Sequence, residues 1–347
     1  MQDVGFSLVT ATEKAAIAAA KHLGCWNKNA ADAAAVEAMR TYLNSLDADI
    51  RIAIGEGEID QAPMLYIGEL LGKGGTAVDI AVDPIDGTRM VASGEGNAIA
   101  VLAATPRGQM LAAPDMYMEK LVVGPQAKGA IDLERPLITN LRNIAHALQK
   151  PLNQLRVVTL AKPRHQDLIQ KLKKQGIQLF EYPDGDIIAS LQTCLPQSPF
   201  DVMYCIGGAP EGIISAAAVK ALGGDMQGKL LLRSDVKGKN EQNLSYDHQE
   251  QQKCEKCGAT PGKMYSLNEL IPAHDIVFCA SGITDGHLLS GVEMTDEGIS
   301  CESLLIDDAG NVQRIKNTTD STQCEATVAE HEEAIQRTAD HCHSQRS

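Results

Sequence analysis

Between residues 155 and 223 the chain reads as three strand and helix pairs in a row: LRVVTLA with PRHQDLIQKLKKQG, IQLFEY with GDIIASLQTCL, and FDVMYCIGG with APEGIISAAAVKALG. The strand signals are short β-branched or aromatic apolar runs bounded by polar or glycine-rich breaks, and the helix signals are longer. No other feature constrains the fold as much. Strands joined through helices lie parallel in one sheet, and such a sheet gathers its ligand-binding loops at the carboxyl ends of its strands. The fold class is α/β.

The first half keeps a different rhythm. Thr10 and Glu13 have capping-box spacing before an Ala-rich run, which predicts a helix over about 10–23. A second helix is expected behind NKNAAD, with Asp32 in its first turn and Val36, Met39, Tyr42 and Leu43 on one face. IRIAIGEGEID reads as a strand and APMLYIGELLG as a short helix. AVDIAV then reads as a buried strand running into a turn at DPIDGT, and the stretch from Asn97 to Gly124 as a hairpin broken at TPRG. Strand following strand predicts an antiparallel or mixed sheet flanked by helices. The rhythm changes near LQKPLNQL, which places a boundary between an antiparallel or mixed-sheet domain over 1–152 and an α/β domain over 153–317. Residues 233–265 are polar and predict a mobile excursion or a helical pair, and DIVFCASGIT reads as the last strand. The acidic, Thr-rich 318–347 reads as a flexible tail.

Composition narrows the partners. A chain of 347 residues with 44% hydrophobic residues can bury two ordinary cores, but only 3% are aromatic and Trp26 is the one tryptophan. A base-stacking surface is not expected, and a formal charge of −14 repels nucleic acid and acidic membranes alike. Nine cysteines without framework spacing point to reduced thiols, and the N-terminal stretch lacks the pattern of a secretory leader, so a cytoplasmic location is expected. Cys254 and Cys257 form a lone CxxC with no second pair, and His341 to His343 lie in the tail. Neither reads as a metal centre.

Four stretches put carboxylates beside glycines or at element ends: NKNAAD (Asp32), GEGEID (Glu56, Glu58, Asp60), DPIDGT (Asp83, Asp86) and GGAPEG (Glu211). Any one of them reads equally well as a turn or cap acid facing water. Together they describe a polycarboxylate site, whose mutual repulsion a hard divalent cation relieves. With neither Cys nor His in the four stretches, Mg²⁺ or Mn²⁺ is the expected ion, and an EF-hand is excluded because its loop spacing is absent. Paired cations of this kind clamp a phosphate and activate water, so the chemistry predicted is phosphoester hydrolysis, with the Thr88 hydroxyl suited to positioning that water. Lys162 and Arg164 of KPRH follow a strand end, where they can hold a phosphate. Asp184 and Asp186 of PDGD can accept hydroxyls of a ligand, and Asp186 can also cap the helix behind it.

DPIDGT resembles the signature of the lithium-sensitive, metal-dependent phosphatase superfamily. Taken with GEGEIDQAPMLYIGE, APDMYMEKLVVG, LAKPRH, PDGD and GGAPEG in that order, it is similar to the bacterial class II fructose-1,6-bisphosphatases over residues 3–315. The resemblance implies the layered αβαβα sugar-phosphatase fold. It implies metal ligands at Asp32, Glu56, Asp83, Asp86 and Glu211, with Lys28, Asp60 and Thr88 supporting catalysis beside Asp32. Substrate contacts are implied at Asp86, Gly87, Thr88, Tyr117, Lys162, Pro163, Arg164, Asp184, Gly185, Asp186 and Gly208. The chain departs from the family pattern at GCWNKNAAD, at GEGN and at Asp86, where several relatives carry Glu, without losing a ligand type.

The activity implied is removal of the 1-phosphate of fructose 1,6-bisphosphate in gluconeogenesis with Mn²⁺ or Mg²⁺. The alternatives are a second bisphosphate substrate, sedoheptulose 1,7-bisphosphate, an inositol phosphate, or a sugar-phosphate sensor without turnover. The expected partner is the small sugar bisphosphate, with no nucleic acid or membrane, and sheet edges in the first domain predict a homodimer or homotetramer.

Overall fold

In the computed structural model, residues 2–57, 64–296 and 298–319 are described. Helices α1 (Gln2–Ala20) and α2 (Lys28–Leu43) lead into strands β1 (Ala48–Ile54), β2 (Leu70–Leu71) and β3 (Thr76–Asp86). The short α3 (Thr88–Ser93) precedes β4 (Ile99–Pro106) and β5 (Tyr117–Val123), and α4 (Leu137–Ala147) follows. The alternating run is β6 (Arg156–Leu160), α5 (Gln166–Lys174), β7 (Gln178–Tyr182), α6 (Asp186–Cys194), β8 (Val202–Gly208) and α7 (Ala209–Ala221). Then come β9 (Asp225–Leu231), α8 (Arg233–Lys237), α9 (Glu241–Cys257), β10 (Met264–Ser266) and α10 (Leu267–Leu270). The described chain closes with β11 (Val277–Gly282), β12 (Glu293–Thr295), β13 (Gly298–Ile306) and β14 (Val312–Thr319).

Two sheets organise these elements. The first has the order β12-β13-β11-β4-β3-β1-β2, with β14 on β13, and the second has the order β10-β9-β5-β8-β6-β7. One apolar core joins α1 and α2 to the first sheet, a second fills the space between the sheets around α6 and α7, and a third joins α4 and α5 to the far face of the second sheet. The layers therefore run α, β, α, β, α, as the family resemblance implies. α7 explains the middle layer: APEGIISAAAVKA is apolar nearly all round, which only a helix covered on both sides tolerates. Its alanines and Gly212 allow the close approach, since a Cβ on Gly212 would lie 2.5 Å from Met118 Sδ. All nine residues of α6 are buried beside it.

Parallel pairing of β6 with β7 and β8 matches the alternating pattern, and residues 233–257 form the helical pair α8–α9. Several expectations change. α1 begins at Gln2, so Thr10 and Glu13 are interior to it, and Thr10 bonds back to the Phe6 carbonyl rather than capping. Asp32 lies past the first turn of α2, which Asn27 caps through Ala30 N–H at 3.1 Å. Residues 64–69 are turns, with Leu65 at φ 52° and its N–H bonded to Glu69, and no helix forms over Met64–Gly72. β4 and β5 do not make a hairpin: β4 pairs with β3 and β11 in the first sheet, β5 with β8 and β9 in the second. β11 is followed by three more strands of the first sheet. The division between sheets thus does not follow a cut at residue 152, because β5 crosses to the second sheet and β11–β14 return to the first. The proposed tail from residue 320 onward lies outside the described residues.

Candidate active site

The carboxylates meet where the first sheet's parallel pair ends against the central helices. β1 and β3 run parallel with Ile54 opposite Ala81, so Glu56 and the end of β3 emerge on the same side. There β3 bulges: Asp83 pairs with Val101 and Asp86 with Ile99, one residue more on β3 than on β4. Pro84, with no N–H to give, fits such a break in the ladder, and Ile85 N–H donates to Asp83 Oδ1 at 3.1 Å. Gly87 follows at φ 99°, a conformation that lets the chain turn directly into α3. Pro210 is the second residue of α7, and Glu211 follows it in the first turn. α2 brings Lys28 and Asp32 from the other side.

A cavity of about 400 Å³ is lined by Lys28, Asp32, Glu56, Asp83, Asp86, Gly87, Thr88, Asp184 and Glu211, and also by Arg89 and Asp115. Its electrostatics are those of crowded, desolvated acids. Burial raises Asp32 from its ordinary value. Glu56 is pushed up to about 7 by burial, then by the charges of Asp32, Glu211 and Asp115. Burial and Asp86 raise Asp83 well above its usual value, while burial and Asp186 raise Asp86. Glu211 rises for the same reasons. Two oxygens, Asp86 Oδ2 and Glu211 Oε2, are buried without a hydrogen-bond partner.

An all-oxygen donor set with orphaned carboxylate oxygens suits a hard divalent cation. As the side chains stand, no three Asp, Glu, His or Cys among the described residues converge on one ion position. The two observations pull apart. The burial and the orphaned oxygens still describe a donor set that a cation would relieve, because carboxylates of like charge repel one another when no ion lies between them.

The cationic side is built on the ends of β6, β7 and β8. Lys162 pairs with Asp184 at 2.9 Å, and Arg89, held by both oxygens of Glu95, stands 3.8 Å from the same Asp184. Arg164 donates from Nε to the Ile206 carbonyl at 2.7 Å and lies 5.4 Å from the centre of the Tyr117 ring. His165 fixes this loop to β8. Its Nε2 accepts from Ile206 N–H at 2.8 Å and its Nδ1 faces the Leu160 carbonyl at 3.0 Å, and burial lowers it to about 4, so it stays neutral. Lys162 and Pro163 do not line the acidic cavity but a separate hollow, with Gln166 and Lys173. Tyr117 pairs across to Gly208, and Gly185 caps α6 at φ 86°.

Asp186 does not line the acidic cavity. It is buried behind it, with Oδ2 accepting from Lys120 Nζ at 2.6 Å. Asp60 lies outside the described residues. Sequence reasoning passed over Arg89, Asp115, Lys120 and Lys237, the last standing 5.9 Å from the Tyr117 ring centre. Lys120 had a signal: it takes the place between Met118 and Val122 on the apolar face of YMEKLVV.

Residues 2–319 match the family model described as "Bacterial fructose-1,6-bisphosphatase, glpX-encoded". Fructose-1,6-bisphosphatase 1 class 2 of Escherichia coli K12 is 55% identical over 304 residues, covering 87% of this chain and 90% of its own. Fructose-1,6-bisphosphatase 2 class 2 of the same strain is 51% identical over 322 residues, covering 92% and 99%. D-fructose 1,6-bisphosphatase class 2/sedoheptulose 1,7-bisphosphatase of Synechococcus sp. strain RCC307 is 40% identical over 313 residues, covering 90% and 94%.

Proposed function

The chain belongs to the bacterial class II fructose-1,6-bisphosphatases, and from that membership we propose that it hydrolyses the 1-phosphate of fructose 1,6-bisphosphate, yielding fructose 6-phosphate and inorganic phosphate. The observation that carries the reading is the juxtaposition of a buried carboxylate cavity with lysine and arginine at the neighbouring strand ends. A substrate with two phosphates needs both.

Asp32, Glu56, Asp83, Asp86 and Glu211 would hold Mn²⁺ or Mg²⁺. Bound there, such cations offset the charge that develops on the phosphate and make water a better nucleophile. The remaining work falls to the chain. The Thr88 hydroxyl donates to the Ile85 carbonyl at 3.2 Å, so its lone pairs stay available to accept from the attacking water. Asp32, raised by burial, is the stronger base for the proton of that water. Lys28, exposed at the start of α2, draws the phosphate inward. Arg164 and Lys162 hold the second phosphate, and Asp184 and Asp186 accept the sugar hydroxyls. Water attacks phosphorus directly and no phosphoenzyme forms.

The name of the Synechococcus relative supports a second reading, sedoheptulose 1,7-bisphosphate as a further substrate of the same site. An inositol phosphate would leave the Arg164 side unused. No described helix is long and apolar enough to cross a membrane. We place the enzyme in the cytoplasm, in gluconeogenesis, as a homodimer or homotetramer.

The test is phosphate release from fructose 1,6-bisphosphate, sedoheptulose 1,7-bisphosphate and inositol 1-phosphate, each with Mn²⁺, Mg²⁺ or EDTA. Turnover of the first with metal and none in EDTA is expected. A clear preference for inositol 1-phosphate would overturn the assignment, and no turnover with any of them would favour a sensor.

A further inference from the structure

We propose that Lys120 is a positioning residue for sugar recognition, holding the Asp186 carboxylate by one oxygen so that the other is presented to a substrate hydroxyl. The proposal deepens the reading above, since it rests on Asp186 accepting a sugar hydroxyl.

Lys120 is, with Phe278, among the largest fully buried side chains of the described residues, and a lysine is almost never so placed without a partner. It stands on β5, directed between the sheets, in a row with Met118 and Val122. Its Nζ donates to Asp186 Oδ2 at 2.6 Å, and Cys205 Sγ approaches the same oxygen at 3.6 Å. Both side-chain contacts of Asp186 fall on Oδ2, leaving Oδ1 to a ligand. The room for this arrangement is made by glycine: a Cβ on Gly207 would lie 2.1 Å from Asp186 Oδ2 and 3.2 Å from Lys120 Nζ.

The pair also connects the two halves of the site. Asp186 acts on both Asp86 and Glu211 as a repelling charge, and Lys120 acts on both as an attracting one. Burial works against charge on Lys120, yet Asp186, Cys205 and Glu211 together raise it above an ordinary lysine. Without that cation, Asp186 would face Asp86 and Glu211 uncompensated and would turn away. A mainly structural ion pair would fail differently, by loosening the whole site.

Lys120→Met keeps length and removes charge. Losing a charge-assisted bond to a buried carboxylate is expected to raise KM for fructose 1,6-bisphosphate by about tenfold or more, with kcat within about threefold. Mn²⁺ binding, followed by calorimetry without substrate, should be as tight or tighter, because a repelling cation has gone. An unchanged KM, or weakened Mn²⁺ binding with equal losses in kcat and KM, would overturn the proposal. Should Lys120→Met not fold, Lys120→Met/Asp186→Asn replaces the ion pair by a neutral one and is compared with Asp186→Asn. If Lys120 acts through Asp186, the two KM values agree within about twofold, whereas independent, multiplying losses would sink the idea. Failure of the substrate reading would look different, as wild-type protein inactive on fructose 1,6-bisphosphate.

Discussion

The Glu211 carboxylate folds back over Gly208: a Cβ placed on Gly208 would lie 1.8 Å from Glu211 Oε2. That oxygen is one of the two buried carboxylate oxygens of the cavity without a partner. Gly208 sits at φ −74° and ψ 146°, which any residue adopts, so the glycine is required by the neighbouring carboxylate and not by the backbone. Gly208→Ala is therefore expected to displace Glu211 by an ångström or more and to lower kcat/KM by about a hundredfold. The melting temperature should move little. A large loss of stability with activity per folded molecule retained would contradict this account of Gly208.

The crowded acids make the metal-free protein sensitive to pH in an unusual direction. Glu56 titrates near 4.5 when unfolded and near 7 when folded, because burial and the charges of Asp32, Glu211 and Asp115 oppose its ionisation. Between those values the folded state binds more protons than the unfolded one, so this contribution is fully present below pH 4.5 and is lost as pH rises through 7. Asp83, Asp86 and Glu211 shift the same way. Glu56 alone is worth on the order of 2–3 kcal/mol over that window. Urea melts in EDTA should show stability falling between pH 5 and pH 7.5, and added Mn²⁺ should flatten or reverse the slope. A metal-free protein that gains stability across the same range would refute the clustering of these carboxylates.

Both the substrate side and the acid side were legible in different degrees, for physical reasons. The alternating run from β6 to α7 was readable because each helix and strand there has its own period and its own bounding turn. DPIDGT was readable because proline, glycine and two acids at a strand end admit few explanations. The misses come from long-range contacts. Glu13 has capping-box spacing from Thr10, yet it lies inside α1, and its carboxylate is bonded instead by Ser303 and Asn317, some three hundred residues away, at 3.1 and 2.7 Å. β4 and β5 look like a hairpin in one dimension, but α7 separates the sheets they join. Lys120 appears in sequence beside Glu119 in an otherwise largely apolar strand, and only the approach of Asp186 from α6 gives it a role.

Arg164 is held by its Nε at the Ile206 carbonyl, which leaves its terminal nitrogens for a phosphate beside Tyr117. Arg164→Lys keeps the charge but loses the planar fork and the anchor. KM for fructose 1,6-bisphosphate should rise about tenfold while kcat changes less, since the second phosphate is bound equally in ground and transition states. Steady-state kinetics decide the matter. A fall in kcat at constant KM would move Arg164 to the reacting phosphate.

Far from the cavity, Asp79 ties the first sheet together. It is 1% exposed on β3, and its carboxylate accepts from Arg51 Nε and Nη2 at 2.8 and 2.7 Å and from Gly108 N–H at 2.7 Å. The partners are unequal. Arg51 is 40% exposed and can turn to water, whereas Asp79 cannot. Removing the arginine leaves a buried charge with the Gly108 N–H and, as its cation, the more distant Arg107 at 3.6 Å, so Arg51→Ala is expected to cost about 3 kcal/mol. Asp79→Asn keeps an acceptor for Arg51 and for Gly108 and should cost roughly 1–2 kcal/mol. Urea denaturation of both variants measures the order, and phosphatase activity of the folded protein should be unaffected in each. A greater loss from Asp79→Asn than from Arg51→Ala would mean that the carboxylate's charge, and not its desolvation, governs this junction.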